Sequence, residues 1–251
     1  MPIDLSCQLY SFRDTEPLDA TLAMLARLGL RHVEPFGDQL ADPAALRSQL
    51  VRHGLAAPSA HLGIAALRRD ADAVMRGLAV LGTELAVLPY VAPELRPQDV
   101  AGWLGFAEEL TYYGAIAARN GLRFAWHNHD FEFVALRDGS RPIDCILAAP
   151  GVLWQMDIAW LVRAGEDPGG WMATHGTRIA SFHLKDLDPA GPATGEDGWA
   201  DLGHGIIDWA RLLPAMRATP TALWVLEHDK PADAARFATR SAATFNGWNI
   251  A

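Results

Sequence analysis

Residues 152–184 read VLWQMDIAWLVRAGEDPGGWMATHGTRIASFHL, and this stretch contains the unit that decides the fold. Its two apolar runs, Val152–Asp157 and Ile179–Leu184, are too continuous for one-sided antiparallel strands and are typical of strands buried on both faces. A helical segment separates them. Gly176 precedes the second run, where a glycine can end a helix with little strain. The stretch therefore predicts a strand-helix-strand unit with parallel strands.

The same alternation of apolar run and helical pattern recurs along the chain. The eight predicted strands are Leu5–Tyr10, His32–Phe36, Ala56–His61, Leu85–Val91, Leu122–His129, Val152–Asp157, Ile179–Leu184 and Ala222–Glu227. Further glycines at helix-to-strand joints are Gly29, Gly54, Gly82, Gly121 and Gly151. Eight such units in 251 residues match the size of a (β/α)8 barrel. We therefore predict an α/β fold, a single TIM-barrel domain over residues 1–251.

Local signals within the chain support this barrel over a doubly wound open sheet. An open sheet of that kind usually carries a glycine-rich phosphate loop after its first strand, whereas SFRDTEP at 11–17 contains no glycine. Asp42-Pro43 predicts a helix start, with the aspartate as N-cap and the proline in the first turn. Val100, Leu104 and Ala107 are spaced as the buried stripe of another helix.

Composition excludes several classes of protein. The formal charge of −9 argues against a protein that grips phosphate backbones, which requires clustered Lys and Arg. Apolar segments do not reach membrane-spanning length, and the N-terminus does not resemble a signal peptide. Cys7 and Cys145 are far apart and outside any CxxC spacing, which predicts reduced, buried thiols. We expect a cytoplasmic protein without nucleic-acid or membrane partners.

Polar side chains lie at or just beyond the ends of six predicted strands. In chain order they are Glu34, His61, His127, Asn128, His129, Glu132, Asp157, His183, Lys185 and Glu227. Since the catalytic groups of a β/α barrel sit at the carboxyl ends of its strands, we expect these side chains at one rim.

Four of these residues, Glu132, Asp157, His183 and Glu227, are the predicted ligands of one divalent metal ion. Three converging carboxylates repel one another unless a cation lies between them. Carboxylates with one imidazole suit Mn²⁺, Mg²⁺, Co²⁺ or Zn²⁺. Such an ion polarises a sugar carbonyl, and nearby carboxylates then transfer the adjacent proton through an enediolate. The alternatives are that each carboxylate caps the next helix and that His183 is a hydrogen-bonded rim residue.

Five segments resemble the sugar phosphate isomerase/epimerase family, the xylose-isomerase-like barrels that include inosose dehydratase-like members. They are WHNHDFEF at 126–133, QMDIAWLVRAGEDP at 155–168, ASFHLKDLD at 180–188, ADLGHGIIDW at 200–209 and WVLEHD at 224–229. The resemblance covers nearly the whole chain. It implies a divalent metal held from the fifth to eighth strands, with Asp157, His183 and Glu227 on the last three. On the fifth strand many relatives place a glutamate near His127; Glu132 is the predicted ligand here, with His127 or His129 as alternatives.

The predicted roles follow from the rim position and from this resemblance. Predicted catalytic residues are Glu132, Glu227, Lys185 and His129. Predicted substrate-binding residues are Glu34, His61, His127 and Asn128. Phe12, Trp126 and Trp160 are either apolar walls for a sugar ring or simply core.

The leading functional prediction is a metal-dependent isomerase or epimerase of a small sugar or polyol. The runner-up is a lyase or dehydratase acting on an inosose, keto-sugar or 3-keto-glycoside, and it gains support if Glu132 does not reach the metal. An apurinic-endonuclease-like nuclease and a non-catalytic sugar-binding barrel are further alternatives. A homodimer is left open. The Gly-, Pro- and Asp-rich segment Asp186–Gly205 is a predicted lid over the site.

Overall fold

The computed structural model describes residues 3–15, 17–191 and 195–249 and shows a curled parallel sheet surrounded by helices. The strands are β1 (Asp4–Cys7), β2 (Ser59–His61), β3 (Leu85–Leu88), β4 (Arg123–His127), β5 (Val152–Asp157), β6 (Ile179–Leu184), β7 (Asp186–Leu187), β8 (Trp199–Ala200) and β9 (Leu223–Leu226). Seven of these described strands form the parallel sheet, in the order β1-β9-β6-β5-β4-β3-β2. β7 and β8 form a separate antiparallel pair.

The predicted second strand, His32–Phe36, closes the ring without forming a regular strand. Glu34 N donates to Cys7 O (2.8 Å) on β1, and His61 N donates to Pro35 O (2.9 Å) on the other side. The segment makes only isolated bridges to both edges of the sheet. Pro35 has no N–H to donate, which interrupts a continuous ladder. The predicted (β/α)8 architecture is confirmed, while a continuous second strand is not formed.

The helices alternate with the strands as predicted. Those in the described residues are α1 (Leu18–Arg27), α2 (Pro43–Arg52), α3 (Ile64–Leu81), α4 (Val100–Arg119), α5 (Pro142–Ala148), α6 (Ile158–Arg163), α7 (Pro168–His175), α8 (Trp209–Arg217) and α9 (Ala234–Gly247). Among these ranges, no helix combines the length and apolarity needed to cross a membrane.

Local helix signals are mostly confirmed. Asp42 Oδ1 accepts the N–H of Ala45 (3.0 Å) at the start of α2. Gly82 ends α3 with φ at +90°. Gly176 is an exception, since its φ is −52° and it continues directly into a 3-10 turn. The predicted stripe on α4 was wrong at Leu104, which is 50% exposed, because the buried side of that helix is centred on the larger Trp103 and Phe106.

Side-chain parity along the strands separates the two apolar layers of the barrel. The residues that face the helices join the main core, whereas a smaller cluster fills the inside of the ring; it contains Leu85, Val87, Ala125, Ala180, Leu223 and Val225. Successive side chains on a strand alternate between faces. His127, two residues after Ala125, and Glu227, two residues after Val225, therefore continue the inner face at the carboxyl end. Both cysteines are buried and unpaired, as predicted.

Candidate metal centre and its cavity

Four side chains from neighbouring strand ends converge inside the carboxyl end of the barrel. Potential ligand atoms of His127, Asp157, His183 and Glu227 all lie within 4.8 Å of one another. Strand register explains the convergence: Asp157 is level with His183 between β5 and β6, and His127 is level with Gln155 between β4 and β5. All four side chains are almost completely buried. The member of this group from the predicted fifth strand, which is β4 of the structure, is His127 and not Glu132.

His183 lies between two carboxylates. Its Nε2 is 2.7 Å from Glu34 Oε1, and its Nδ1 is 2.8 Å from Glu227 Oε2. Burial opposes a charge on the imidazole, but the negative charges of Glu227 and Glu34 outweigh it and raise the pKa of His183 to about 10. The charge of Lys185, followed by that of His183, lowers the pKa of Glu227 well below its usual range despite its burial. The imidazole is thus held in a negative environment suited to a cation.

Lys185 brings a permanent positive charge to the same group. Its Nζ lies 2.7 Å from Glu227 Oε2, 2.6 Å from Asp229 Oδ2 and 2.9 Å from Asp157 Oδ2. The ammonium is fully buried, and these three carboxylates raise its pKa against the effect of burial. Trp199 and Trp160 cover the ammonium, with ring centroids 5.0 Å and 5.6 Å from Nζ.

The two oxygens of Asp157 have different surroundings. Oδ1 accepts the N–H of Trp160 (2.8 Å) and caps α6, as the alternative interpretation expected. Oδ2 is buried and makes no well-directed hydrogen bond to the described residues, although Lys185 Nζ is near and His127 Nε2 is 3.8 Å away. Burial, opposed by Lys185, raises the pKa of Asp157 to about 6. One carboxylate therefore combines a helix cap at Oδ1 with a second oxygen that faces the converging group and the Lys185 ammonium.

Asn128 fixes the position of Asp157 and does not line the cavity. Its Oδ1 accepts the backbone N–H of Asp157 (2.9 Å) and the indole N–H of Trp154 (2.8 Å). Its Nδ2 donates to Asp157 O (3.2 Å). The side chain is fully buried.

Two glutamines that the sequence analysis did not single out connect the remaining polar residues. Gln155 Oε1 is 2.6 Å from His61 Nε2 and 3.0 Å from His127 Nδ1, while Gln155 Nε2 donates to Glu34 Oε2 (2.8 Å). Gln8 Nε2 donates to Glu34 Oε1 (2.7 Å). Burial opposes the charge of Glu34, but His61 and His183 outweigh it and lower the pKa of that carboxyl. The sequence contains one signal for Gln155: it lies two residues before Asp157 and therefore faces the same side of β5.

Glu132 lies outside the converging group. Its Oε1 accepts the indole N–H of Trp126 (2.9 Å), and its Oε2 accepts the backbone N–H of His129 (2.9 Å). The side chain is fully buried, and that burial raises the pKa of Glu132 to about 8. A 3-10 turn at Phe131–Phe133 turns this carboxyl back onto the strand end. Glu132 therefore fixes the segment that carries His129.

The donor set fits a divalent cation. Two carboxylates and two imidazoles are ligands that Mn²⁺, Co²⁺ and Zn²⁺ share. Asp157 Oδ2 is buried without a well-directed hydrogen bond, its nearest donor being Lys185 Nζ at 2.9 Å, and a metal ion would complete its set of partners. Burial lowers the pKa of His127 well below its usual value, so its imidazole is neutral, as a ligand must be, whereas His183, with its raised pKa, would release a proton when the metal binds.

A cavity of about 640 Å³ opens over this group. Its polar lining consists of His61, His127, His129, Glu227 and Asp229, and its apolar lining includes Tyr10, Phe36, Leu62, Ile64, Pro89 and Tyr90. Of the predicted substrate-binding residues, His61 and His127 line the cavity, whereas Glu34 and Asn128 do not. The predicted aromatic walls behave differently: Phe12 and Trp126 are core, and Trp160 packs against His129 with ring centroids 4.9 Å apart.

The predicted lid is anchored at both ends. β7 pairs with β8, and Asp186 accepts hydrogen bonds from the backbone of Gly203 (3.1 Å) and Ile207 (3.0 Å). A Cβ on Gly205 would lie 2.2 Å from Leu187 O, so only glycine fits this turn. Residues 192–194 of the predicted lid lie outside the described residues.

Comparison with known proteins assigns the family. The sequence profile of the family described as Xylose isomerase-like TIM barrel matches residues 13–244. The chain belongs to this family. No curated protein matches the sequence.

Solved structures with the same fold are similar over nearly their whole length. A sugar phosphate isomerase/epimerase from Parabacteroides distasonis superposes with a TM-score of 0.82 at 18% identity, covering 97% of this chain and 93% of that one. The IOLI protein, solved with a bound zinc atom, gives 0.78 at 15% identity, with 99% of each chain covered. The probable 3-DHS dehydratase AsbF from Bacillus anthracis gives 0.74 at 11% identity, covering 98% and 99%. At these identities the likeness concerns the fold.

Proposed function

We propose that this protein is a divalent-metal-dependent enzyme that moves a proton next to the carbonyl of a small polyhydroxylated substrate, as a sugar isomerase or epimerase does. The observation that carries the proposal is the convergence of His127, Asp157, His183 and Glu227 beside a cavity of substrate size. Family membership and the isomerase/epimerase and dehydratase neighbours support this reaction class.

The four converging residues would hold the metal. A bound divalent ion would supply the charge that polarises the substrate carbonyl and acidifies the adjacent C–H. The structural neighbour with bound zinc supports a metal in this fold. The chain itself would orient the ligands, because Asn128 fixes Asp157 and Gln155 fixes His127 through its Nδ1.

Proton transfer falls to the groups that line the cavity. Glu227 is ionised and faces the cavity, and Lys185 Nζ donates to its Oε2 and so orients it. His129 lines the same cavity with a buried, unpartnered Nδ1. Burial lowers the pKa of His129 to about 3, so the imidazole is neutral and able to accept a hydrogen bond from the substrate.

A metal-dependent dehydratase is the second candidate, and one observation favours it. His127 lies on the predicted fifth strand (β4 of the structure), at the position where the resemblance implies a glutamate. Glu132 accepts hydrogen bonds from Trp126 and His129. An epimerase that uses two opposed carboxylates would therefore lack the second carboxylate, the one opposite Glu227. Removal of a proton and loss of a hydroxyl with histidine assistance would need only Glu227 and one imidazole.

The test is incubation of the Mn²⁺-loaded protein with keto- and aldo-sugars and inososes in D2O. Deuterium at the carbon next to the carbonyl, with the carbon skeleton retained, supports the isomerase or epimerase. Loss of water supports the dehydratase. If the metal-loaded protein neither exchanges deuterium nor eliminates water from any substrate, while an Asp157→Asn/Glu227→Gln variant holds as much metal as the native chain, the proposal fails.

A further inference from the structure

The cavity lining has two chemically different parts. Imidazoles and carboxylates form one part, and aromatic and aliphatic side chains form the other. Tyr10 and Tyr90 belong to the apolar part and remain 38% and 42% exposed, which is high for such large side chains. At about 640 Å³ the cavity is in the range that accommodates drug-sized ligands, and a single sugar ring would not fill it.

The aromatic residues are held in place. The Tyr10 ring meets Phe36 edge-on, with centroids 5.1 Å apart, and the guanidinium of Arg13 stacks 4.1 Å from its centroid. Tyr90 meets His129 edge-on at 5.3 Å, and the Arg96 guanidinium lies 5.1 Å from its centroid. Rigid aromatic surfaces that remain exposed inside a cavity favour a ligand with a flat apolar group.

The charge around the cavity is unsuited to a phosphate. Among the described residues that line it, none is Lys or Arg, while Glu227 and Asp229 are both carboxylates. Arg13 donates to Tyr10 O (3.0 Å) and Arg96 to Val91 O (3.0 Å), so both arginines are engaged outside the lining.

Lys185 does not change this balance. Its ammonium is fully buried among three carboxylates and does not line the cavity. A bound dication together with Lys185 would bring three positive charges to the four carboxylates Glu34, Asp157, Glu227 and Asp229, so this group would have no excess positive charge for a phosphate. The start of α3 at Gly63–Ala65 also lines the cavity, but a helix N-terminus supplies only about half a positive charge.

We infer that the substrate is an uncharged, unphosphorylated carbohydrate that carries an apolar, preferably aromatic, substituent. Its hydroxylated ring lies beside Glu227 and the histidines, and its substituent lies against Tyr10, Phe36 and Tyr90. This inference rests on the proposed function for the orientation of the ring, and it adds the chemical class of the substrate.

The experiment is calorimetric titration of the Mn²⁺-loaded protein with matched ligand pairs. Phenyl and methyl β-glycosides of glucose, galactose and xylose test the apolar subsite. Glucose and fructose with their 6-phosphates test the charge. We expect the phenyl compound of at least one pair to bind about tenfold more tightly than the methyl compound, and neither phosphate to bind more tightly than its parent sugar.

Two variants test whether the phenyl preference arises at the cavity tyrosines, and a third variant is a matched control. Tyr10→Ala and Tyr90→Ala should each remove most of the phenyl preference, with manganese content unchanged. Tyr112→Ala, at a tyrosine that is 61% exposed on α4, should retain the preference. Any one of three results would overturn the inference. The first is equal binding of the phenyl and methyl compounds in all three pairs, and the second is a phenyl preference that persists in both cavity variants. The third is tighter binding of a sugar phosphate than of its parent sugar. Manganese content and deuterium exchange report separately on the proposed function.

Discussion

Two buried aspartates near the carboxyl ends of adjacent strands, Asp157 and Asp186, have opposite surroundings. Asp186 Oδ1 accepts the backbone N–H of Leu187 and Ile207, and its Oδ2 accepts Gly203 N and the indole N–H of Trp209, all at 2.8–3.1 Å. Asp157 accepts one helix-cap hydrogen bond, and its second oxygen has no well-directed donor in the described chain. Both are fully buried. A buried carboxylate is thus compatible with either a loop anchor or a cation ligand, and the hydrogen-bond partners distinguish the two.

The largest expected effect is on metal binding by Asp157→Asn and Glu227→Gln. Loss of a partner outside the ligand shell commonly reduces metal affinity 10- to 100-fold, so loss of a ligand should reduce it by at least about 100-fold. Metal analysis after dialysis and titration with Mn²⁺ measure the change. Asp186→Asn is the matched control, equally buried but not part of the converging group, and should retain the native metal stoichiometry. Equal metal loss in all three variants would remove the distinction between the two aspartates.

The second effect is on stability, and here we expect Asp186→Asn to be more damaging than Asp157→Asn. Asp186→Asn replaces an acceptor of four hydrogen bonds with an amide whose NH₂ faces N–H donors, and we expect it to lower the free energy of unfolding by about 3 kcal/mol. Asp157→Asn should cost less. Urea unfolding in the presence of EDTA measures both, because bound metal would otherwise stabilise the native chain. A larger loss for Asp157→Asn than for Asp186→Asn would mean that Asp157 is the main anchor.

The fold was predictable because its signals are local and repeated. Val152–Asp157 and Ile179–Leu184 are strands with the predicted bounds, since both are continuous apolar runs flanked by helices. The first strand was predicted to extend to Tyr10 but ends at Cys7. There Gln8 Oε1 accepts the N–H of Tyr10 (3.0 Å) and starts a 3-10 turn, a contact that hydrophobicity does not reveal.

The site was predictable only in part. Asp157, His183 and Glu227 are brought together because register and parity are regular at the carboxyl ends of β5, β6 and β9, beyond a register shift between Trp154 and Gln155. Glu132 lies beyond the end of β4 in a 3-10 turn, where the period of the strand no longer gives the direction of a side chain. Gln155 was overlooked because an uncharged amide within a strand carries no chemical signal of its own; its role follows from its contacts with His61, His127 and Glu34.

The third prediction concerns the pH dependence of stability that arises from Glu132, another buried carboxyl with hydrogen-bond partners. Burial raises its pKa from 4.5 to about 8, so the folded chain holds a proton that the unfolded chain releases above about pH 4.5. The unfolding free energy should therefore decrease as pH rises between about 4.5 and 8, by at most about 1.4 kcal/mol per pH unit from this group. Glu132→Gln removes this dependence. Chemical unfolding of both proteins at several pH values, with EDTA present, measures the difference, and parallel curves would contradict it.

The smallest expected effect concerns the surface ion pairs of the Asp186–Gly205 segment. Lys230 Nζ lies 3.1 Å from Asp197 Oδ1, but the two side chains are 53% and 59% exposed, so solvent screens the pair. Lys230→Ala should change the unfolding free energy by no more than about 0.5 kcal/mol. Arg236→Ala is the contrasting variant, because Arg236 Nε pairs at 3.0 Å with Asp201, whose side chain is only 1% exposed. Removal of Arg236 leaves a buried carboxylate with less compensation and should cost more. Urea unfolding of both variants decides the point: if Lys230→Ala is as costly as Arg236→Ala, surface pairs rather than buried carboxylates hold this segment against the barrel.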